Sequence, residues 1–208
     1  MALVPAAGDP PPPAALEAAA KALAAGQLVC LPTDTVYGLA ADPFHTGAVD
    51  RVFAAKRRPR DIELPMLVGD VEQALGLAYG VPPGAQQLMS RFWPGALTII
   101  LPRRPDLDAD LGSDDATIGV RCPDHPVPLA LCRAVGPIAT TSANLHGSAT
   151  PSTAAEVGAV FGDAVAVVLD AGPCVGSPST VVDCTGAEVK LLREGRVPWT
   201  EVQAALSG

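Results

Sequence analysis

Lysine is scarce in this chain, with three residues (21, 56 and 190) in 208, and lysine and arginine together number 14 against 22 acids. A formal net charge of −8 argues against a broad electrostatic grip on DNA or RNA, which takes cations in number. No lysine follows a glycine, so there is no P-loop; no G-x-G-x-x-G follows a strand, and G-x-S-x-G and H-E-x-x-H are absent. Five cysteines (30, 122, 132, 174, 184) and three histidines (45, 125, 146) are dispersed, without a C-x-x-C pair. That spacing argues against a protein-built metal cage and predicts reduced, buried thiols. No apolar run nears the ~20 residues that span a bilayer, and no basic n-region precedes an apolar stretch. No membrane contact and a cytoplasmic location are the default expectations.

What is present is a globular composition, 49% hydrophobic and 17% charged, punctuated by 22 prolines and 20 glycines. Residues 1–13 read as a flexible Pro-rich tail, and 14–208 as one domain. Helices are predicted over 14–25, 47–56, 70–78, 83–92, 126–135, 152–161 and 198–206 from period, caps and stops. Strands are predicted over 27–32, 64–68, 96–101, 117–122, 137–141, 164–169, 180–184 and 189–193. Strands and helices mix without strict alternation, which predicts a single α/β domain with a twisted mixed β-sheet flanked by helices and an open ligand cleft.

Polar groups gather at predicted strand ends. Thr33-Asp34-Thr35 follows the first strand, and the run Lys56-Arg57-Arg58-Pro59-Arg60 puts four cations in five positions of an acidic protein. Such a knot fits one small anionic ligand, with Lys56 as a point charge and Arg58 as a planar fork; a solvated charged helix end is the plainer reading. Arg121 closes an apolar strand and needs an anionic partner, either a ligand or one of the chain's acids. Thr140-Thr141-Ser142-Ala143-Asn144, Ser179-Thr180 and Arg193 repeat the pattern. Thr33 and Thr35 could equally organise a turn, Ser142 could be a core hydroxyl, and Trp93-Pro94-Gly95 reads as a packing anchor and turn.

Taken in order, PTDTVYGL, AAKRRP, RFWPGALTIIL, TIGVRCPDHP, IATTSAN, STVVDCT and LLREG resemble the YrdC/Sua5/TsaC family of L-threonylcarbamoyladenylate synthases, in its short single-domain form. The resemblance covers about residues 14–197. It implies a reaction in which L-threonine, bicarbonate and ATP, with Mg²⁺ on its phosphates, give threonylcarbamoyl-AMP and pyrophosphate. It implies a separate tRNA threonylcarbamoyl transferase complex as the product's recipient for t6A modification, with tRNA contact indirect or weak. It further implies that Thr35, Arg121, Thr140 and Ser179 bind threonine, and that Lys56, Arg58, Thr117, Ser142, Asn144, Thr150 and Arg193 bind ATP. Lys56 and Arg58 match a K-x-R pair that stabilises charge at the α-phosphate. One segment departs from many relatives: Asp61-Ile62-Glu63-Leu64 replaces D-N-P-L, and Leu67 stands where they carry a histidine. Weaker nucleotide affinity is the expected consequence.

Other classes predict different behaviour. An RNA-binding or ribosome-associated module would show salt-dependent RNA binding without ATP turnover. A carbamoyl-transfer domain of the hydrogenase-maturation kind would belong to a larger chain with zinc-finger and acylphosphatase-like modules. A non-catalytic homologue would bind ATP or threonine without chemistry.

Overall fold

Short apolar runs bounded by glycine and proline give short strands here, and the alanine- and leucine-rich stretches between them give helices. The computed structural model describes residues 1–57, 60, 63–113 and 116–207. Its first half runs β1 (Ala2–Pro5), α1 (Pro13–Ala24), β2 (Val29–Leu31), β3 (Gly38–Ala41), α2 (Ala48–Lys56), β4 (Met66–Leu67), α3 (Val71–Leu77) and α4 (Pro83–Phe92). The second half runs β5 (Leu97–Pro102), β6 (Thr117–Arg121), α5 (Pro126–Val135), β7 (Ile138–Ser142), α6 (Ala154–Phe161), β8 (Val167–Asp170), β9 (Thr180–Asp183), β10 (Lys190–Arg193) and α7 (Trp199–Ser207).

The strands form one mixed sheet in the order β1-β8-β2-β3-β7-β4-β6-β5-β9-β10. Pairing is parallel for β1/β8, β8/β2, β4/β6 and β5/β9 and antiparallel elsewhere. Residues 2–5, expected within a flexible tail, are an edge strand, in register from Ala2 opposite Val167 to Pro5 opposite Asp170. Ala-Leu-Val suits an edge, where Pro5 can face away from its single neighbour. β3 is the other unanticipated strand. Its Gly-Leu-Ala-Ala sequence has little intrinsic strand preference, yet all four residues are buried between β2 and β7.

Successive side chains of a strand point to opposite faces, and here the two faces differ in cover. One face takes Leu39, Met66, Leu97, Ile99, Ile118, Val120 and Val182 into the larger apolar core. The other takes Val29, Leu31, Ala40, Ile138 and Leu169 beneath α1 and α5, through Ala15, Ala19, Leu23, Val127 and Leu131. That cover stops short of the sheet's other half, where Gly38, Thr98, Ile100, Gly119, Arg121, Thr140, Ser142 and Val181 border open space instead. The cleft lies where this face of the sheet is left bare.

Candidate functional site

The space over the bare sheet face is a cavity of about 440 Å³, within the usual range for small-ligand sites. Its wall joins Thr33, Thr35, Gly38, Thr140, Thr141 and Ser142 on one side to Thr98, Ser179 and Arg193 on the other, with Arg121 and Gly119 in the floor. Sequence alternation produces this lining. In β6, Thr117, Gly119 and Arg121 share a face, while Ile118 and Val120 are fully buried behind them. Gly38 has a steric reason to be glycine, because a Cβ there would lie 2.8 Å from Thr140 Cγ2 on the neighbouring strand.

Arg121 is only 7% exposed, and its partner is a carboxylate of its own chain. Nη2 donates to Asp34 Oδ1 at 2.5 Å, Nη1 to Thr35 Oγ1 at 2.9 Å, and Nε to the Gly95 carbonyl at 3.0 Å. Burial pulls its pKa below the ordinary arginine value, Asp34 pushes it back up, and Arg193 and Arg196 lower it. The guanidinium stays charged throughout the physiological range. Thr33 Oγ1 builds the turn beneath, accepting from the amides of Thr35 and Val36 and donating to the Val36 carbonyl at 2.6 Å. Thr33 organises the turn, and that turn presents Thr35 Oγ1 to Arg121.

On the opposite wall, Ser179 Oγ lies 2.8 Å from Thr98 Oγ1, and Arg193 Nη2 donates to the Ser179 carbonyl at 2.9 Å. Burial lowers the pKa of Arg193. Ser179 and Arg193, assigned to different ligands by resemblance, thus share one hydrogen-bonded corner. Thr140, Ser142 and Thr150 line the cavity; Thr117, Asn144 and Lys56 do not. Thr117 opens β6 opposite Pro102, at the far end of the same face. Ser142 Oγ donates to Asn144 Oδ1 at 2.6 Å, and the amide nitrogen of Asn144 turns to the carbonyls of Leu145 and Ser148.

The described cations of the run, Lys56, Arg57 and Arg60, do not form one patch. Lys56 is 2% exposed and donates at 2.6 Å to the carbonyls of both Ser142 and Asn144, so it supports the turn bordering the cavity. Arg60 pairs with Asp50 and Asp110 and stacks on Phe53. Arg57 caps α2 in the left-handed region at φ 52°. Lys56 ends α2 against the turn after β7, and the carbonyls it meets belong to that turn rather than to its own helix. Arg58 and Ile62 lie outside the described residues. Glu63 and Leu67, at the departing segment, both line the cavity, and the Glu63 carboxylate stands 3.8 Å from Arg103 Nη1.

In the sequence Asp34 stands between two threonines with no role of its own, and Gly95 reads as part of a turn. The signal was Arg121, whose apolar strand demanded a partner. A Cβ at Gly95 would collide with the Phe92 carbonyl, so the tight W-P-G turn that aims its own carbonyl at Arg121 requires glycine there. All five cysteines are buried and free; burial pushes the thiols of Cys122 and Cys184 up to about 11 and about 12. Such thiols are poor nucleophiles.

A cavity with two arginines, clustered hydroxyls and no activated nucleophile among its described lining is suited to holding charged reactants side by side. The profile of the Sua5/YciO/YrdC family, described as "Telomere recombination", matches residues 21–195. The chain belongs to this family. A Mycobacterium tuberculosis (strain ATCC 25618 / H37Rv) relative named for threonylcarbamoyl-AMP synthesis is 45% identical over 186 residues, spanning 89% of this chain and 86% of the relative. The threonylcarbamoyl-AMP synthase of Bacillus subtilis (strain 168) is 41% identical over 191 residues, spanning 90% of this chain but only 55% of that enzyme. Among solved structures, Pyrococcus abyssi Sua5 complexed with L-threonine matches with a TM-score of 0.91 at 34% identity. That match covers 99% of this chain and 61% of the Sua5 chain.

Proposed function

We propose that this family member is an L-threonylcarbamoyl-AMP synthase, using L-threonine, bicarbonate and ATP. The observation that carries the reading is the single cavity in which Arg121 and Thr35 face Ser179 and Arg193 across the sheet. Curated relatives bear the name of this activity, and the Sua5 structure complexed with L-threonine supports an amino-acid site in the same fold.

In this reading the amine of threonine joins bicarbonate to give a carbamate and water. A carbamate oxygen then attacks the α-phosphorus of ATP, the bond to the bridging oxygen breaks, and pyrophosphate leaves with that electron pair. The protein contributes positioning and charge rather than a covalent intermediate. Arg121 takes the amino acid's carboxylate, with Thr35, Thr140 and Ser179 fixing its polar atoms. Ser142, Thr150 and Arg193 hold the nucleotide, with Thr117 toward the outer end of the face. Lys56 and Asn144 act by shaping the turn that carries Ser142. Arg58 retains the α-phosphate role that the family resemblance implies. Mg²⁺ enters on the phosphates as part of the nucleotide substrate.

The product is an activated acyl adenylate, which suits transfer to a tRNA by a separate threonylcarbamoyl transferase in the cytoplasm, with little direct tRNA contact by this acidic chain. The deciding experiment measures pyrophosphate release from ATP, Mg²⁺ and bicarbonate, with and without L-threonine. Release that requires both threonine and bicarbonate is expected. Absence of release while ATP and threonine still bind would replace the synthase by a non-catalytic binding protein.

A further inference from the structure

Asp34 belongs to neither the threonine set nor the nucleotide set, yet it is the carboxylate that holds Arg121. A guanidinium has five N–H donors. In Arg121 three of them, one on each nitrogen, are bound to Gly95, Thr35 and Asp34. Nη1 and Nη2 therefore each keep one proton for a ligand. Two of the three anchors come from adjacent residues of one turn, so the plane of the guanidinium is set by residues 34 and 35 together.

Asp34 is itself fixed from a second direction. Arg196, just beyond β10, donates through Nη1 to the Asp34 carbonyl. The Asp34 side chain is 11% exposed, against 8% for Arg121. It borders a second cavity of about 330 Å³ behind the pair, with Gly95, Arg91 and Arg196. The ion pair is thus part of the partition between that space and the cavity over the sheet. A long side chain with four rotatable bonds would otherwise be free to swing toward either space.

We infer that Asp34 is a positioning residue for the amino-acid substrate: bound to Arg121 on one side and Arg196 on the other, it holds the guanidinium so that its two remaining N–H donors meet the substrate carboxylate. The inference rests on the synthase reading above. A competing physical reading has the opposite sign. As an anion beside Arg121, Asp34 could oppose a second carboxylate, and its removal would then tighten threonine binding. Geometry decides for positioning: Asp34 and Thr35 hold different nitrogens of one guanidinium, so without Asp34 the fork loses the contact that fixes its plane and the aim of its remaining donors.

The test compares wild type with Asp34→Ala and Asp34→Asn, measuring threonine- and bicarbonate-dependent pyrophosphate release alongside thermal melting. Asp34→Ala is expected to raise the KM for threonine about tenfold or more, with the KM for ATP unchanged and kcat altered about twofold at most. Asp34→Asn keeps an oxygen acceptor for Nη2 and is expected to fall between Asp34→Ala and wild type, which also covers the case in which Asp34→Ala does not fold. A lower threonine KM in either variant, or equal changes in the KM for threonine and ATP, would overturn the inference. So would an unchanged threonine KM in both. Wild-type protein that releases no pyrophosphate would instead overturn the synthase reading, and this inference with it.

Discussion

The ammonium of Lys56 lies 2.6 Å from the main-chain carbonyl of Asn144 and 3.3 Å from that residue's Oδ1. The contact is reciprocal at the level of the backbone, since the amide of His146 donates to the Lys56 carbonyl at 3.1 Å. α2 and the turn after β7 are therefore stapled together by groups from both sides. Ser142, whose carbonyl also accepts from Lys56, is held at the edge of the cavity by the same staple.

Replacing Lys56 by Met should expose the worth of that staple. The carbonyls of Ser142 and Asn144 would lose a buried donor, a loss of about 1–3 kcal/mol. Urea denaturation is expected to show that loss. ATP titration is expected to show weaker binding, because Ser142 loses its support. A destabilised variant with unchanged ATP affinity would make Lys56 a scaffold residue alone.

Arg121→Lys tests the floor of the cavity while keeping the charge. One ammonium cannot reach Thr35, Asp34 and Gly95 as three guanidinium nitrogens do, and it presents no fork to a carboxylate. Titration calorimetry with L-threonine is expected to show at least about tenfold weaker binding, the equivalent of one charged hydrogen bond at about 1.5–3 kcal/mol. Wild-type affinity in this variant would remove Arg121 from the amino-acid site.

Much of this site was legible because strand ends are legible. Arg121 in an apolar strand, and the hydroxyls of Thr140, Ser142 and Ser179 at the ends of others, announced a polar cluster that the topology brings into one cavity. What escaped was set by distance in sequence. Asp34 meets Arg121 across 87 residues, and no local pattern encodes that pairing. β3 escaped because its small residues are extended by their neighbours rather than by their own preference. The tail reading of residues 2–5 missed a parallel partner, β8, more than 160 residues away. The charge of Lys56 is visible in the sequence, whereas the carbonyls of Ser142 and Asn144 that receive it lie 86 and 88 residues away and are not.

Thr153→Ala offers a stability change at a residue outside the cavity lining, three positions after Thr150. The Thr153 hydroxyl accepts from the Glu156 amide, and the Glu156 carboxylate returns to the Thr153 amide at 3.1 Å, a reciprocal cap on α6. α6 packs on β8 and β1, at the other end of the sheet from Arg193. Loss of the cap is expected to cost about 1 kcal/mol in urea denaturation. Turnover well below the melting temperature should match wild type, and a large drop would extend the site's support into α6.

His125 should give the fold a pH dependence of known sign. Its Nδ1 accepts from the Val127 amide at 3.2 Å, capping α5, which requires that nitrogen to be unprotonated. Burial lowers its pKa from the ordinary 6.5, against the opposing pull of Asp34 and Asp124. Between the lowered folded value and the unfolded value the unfolded chain binds more protons, so stability rises with pH across that window. The contribution is complete above about 6.5 and is lost as pH falls through the folded value. His125→Asn keeps an N-cap acceptor that does not titrate. Urea midpoints measured from about pH 7.5 down to about pH 5 should start close together and then diverge, with wild type falling faster. Parallel curves would mean that His125 is not the group whose protonation loosens α5.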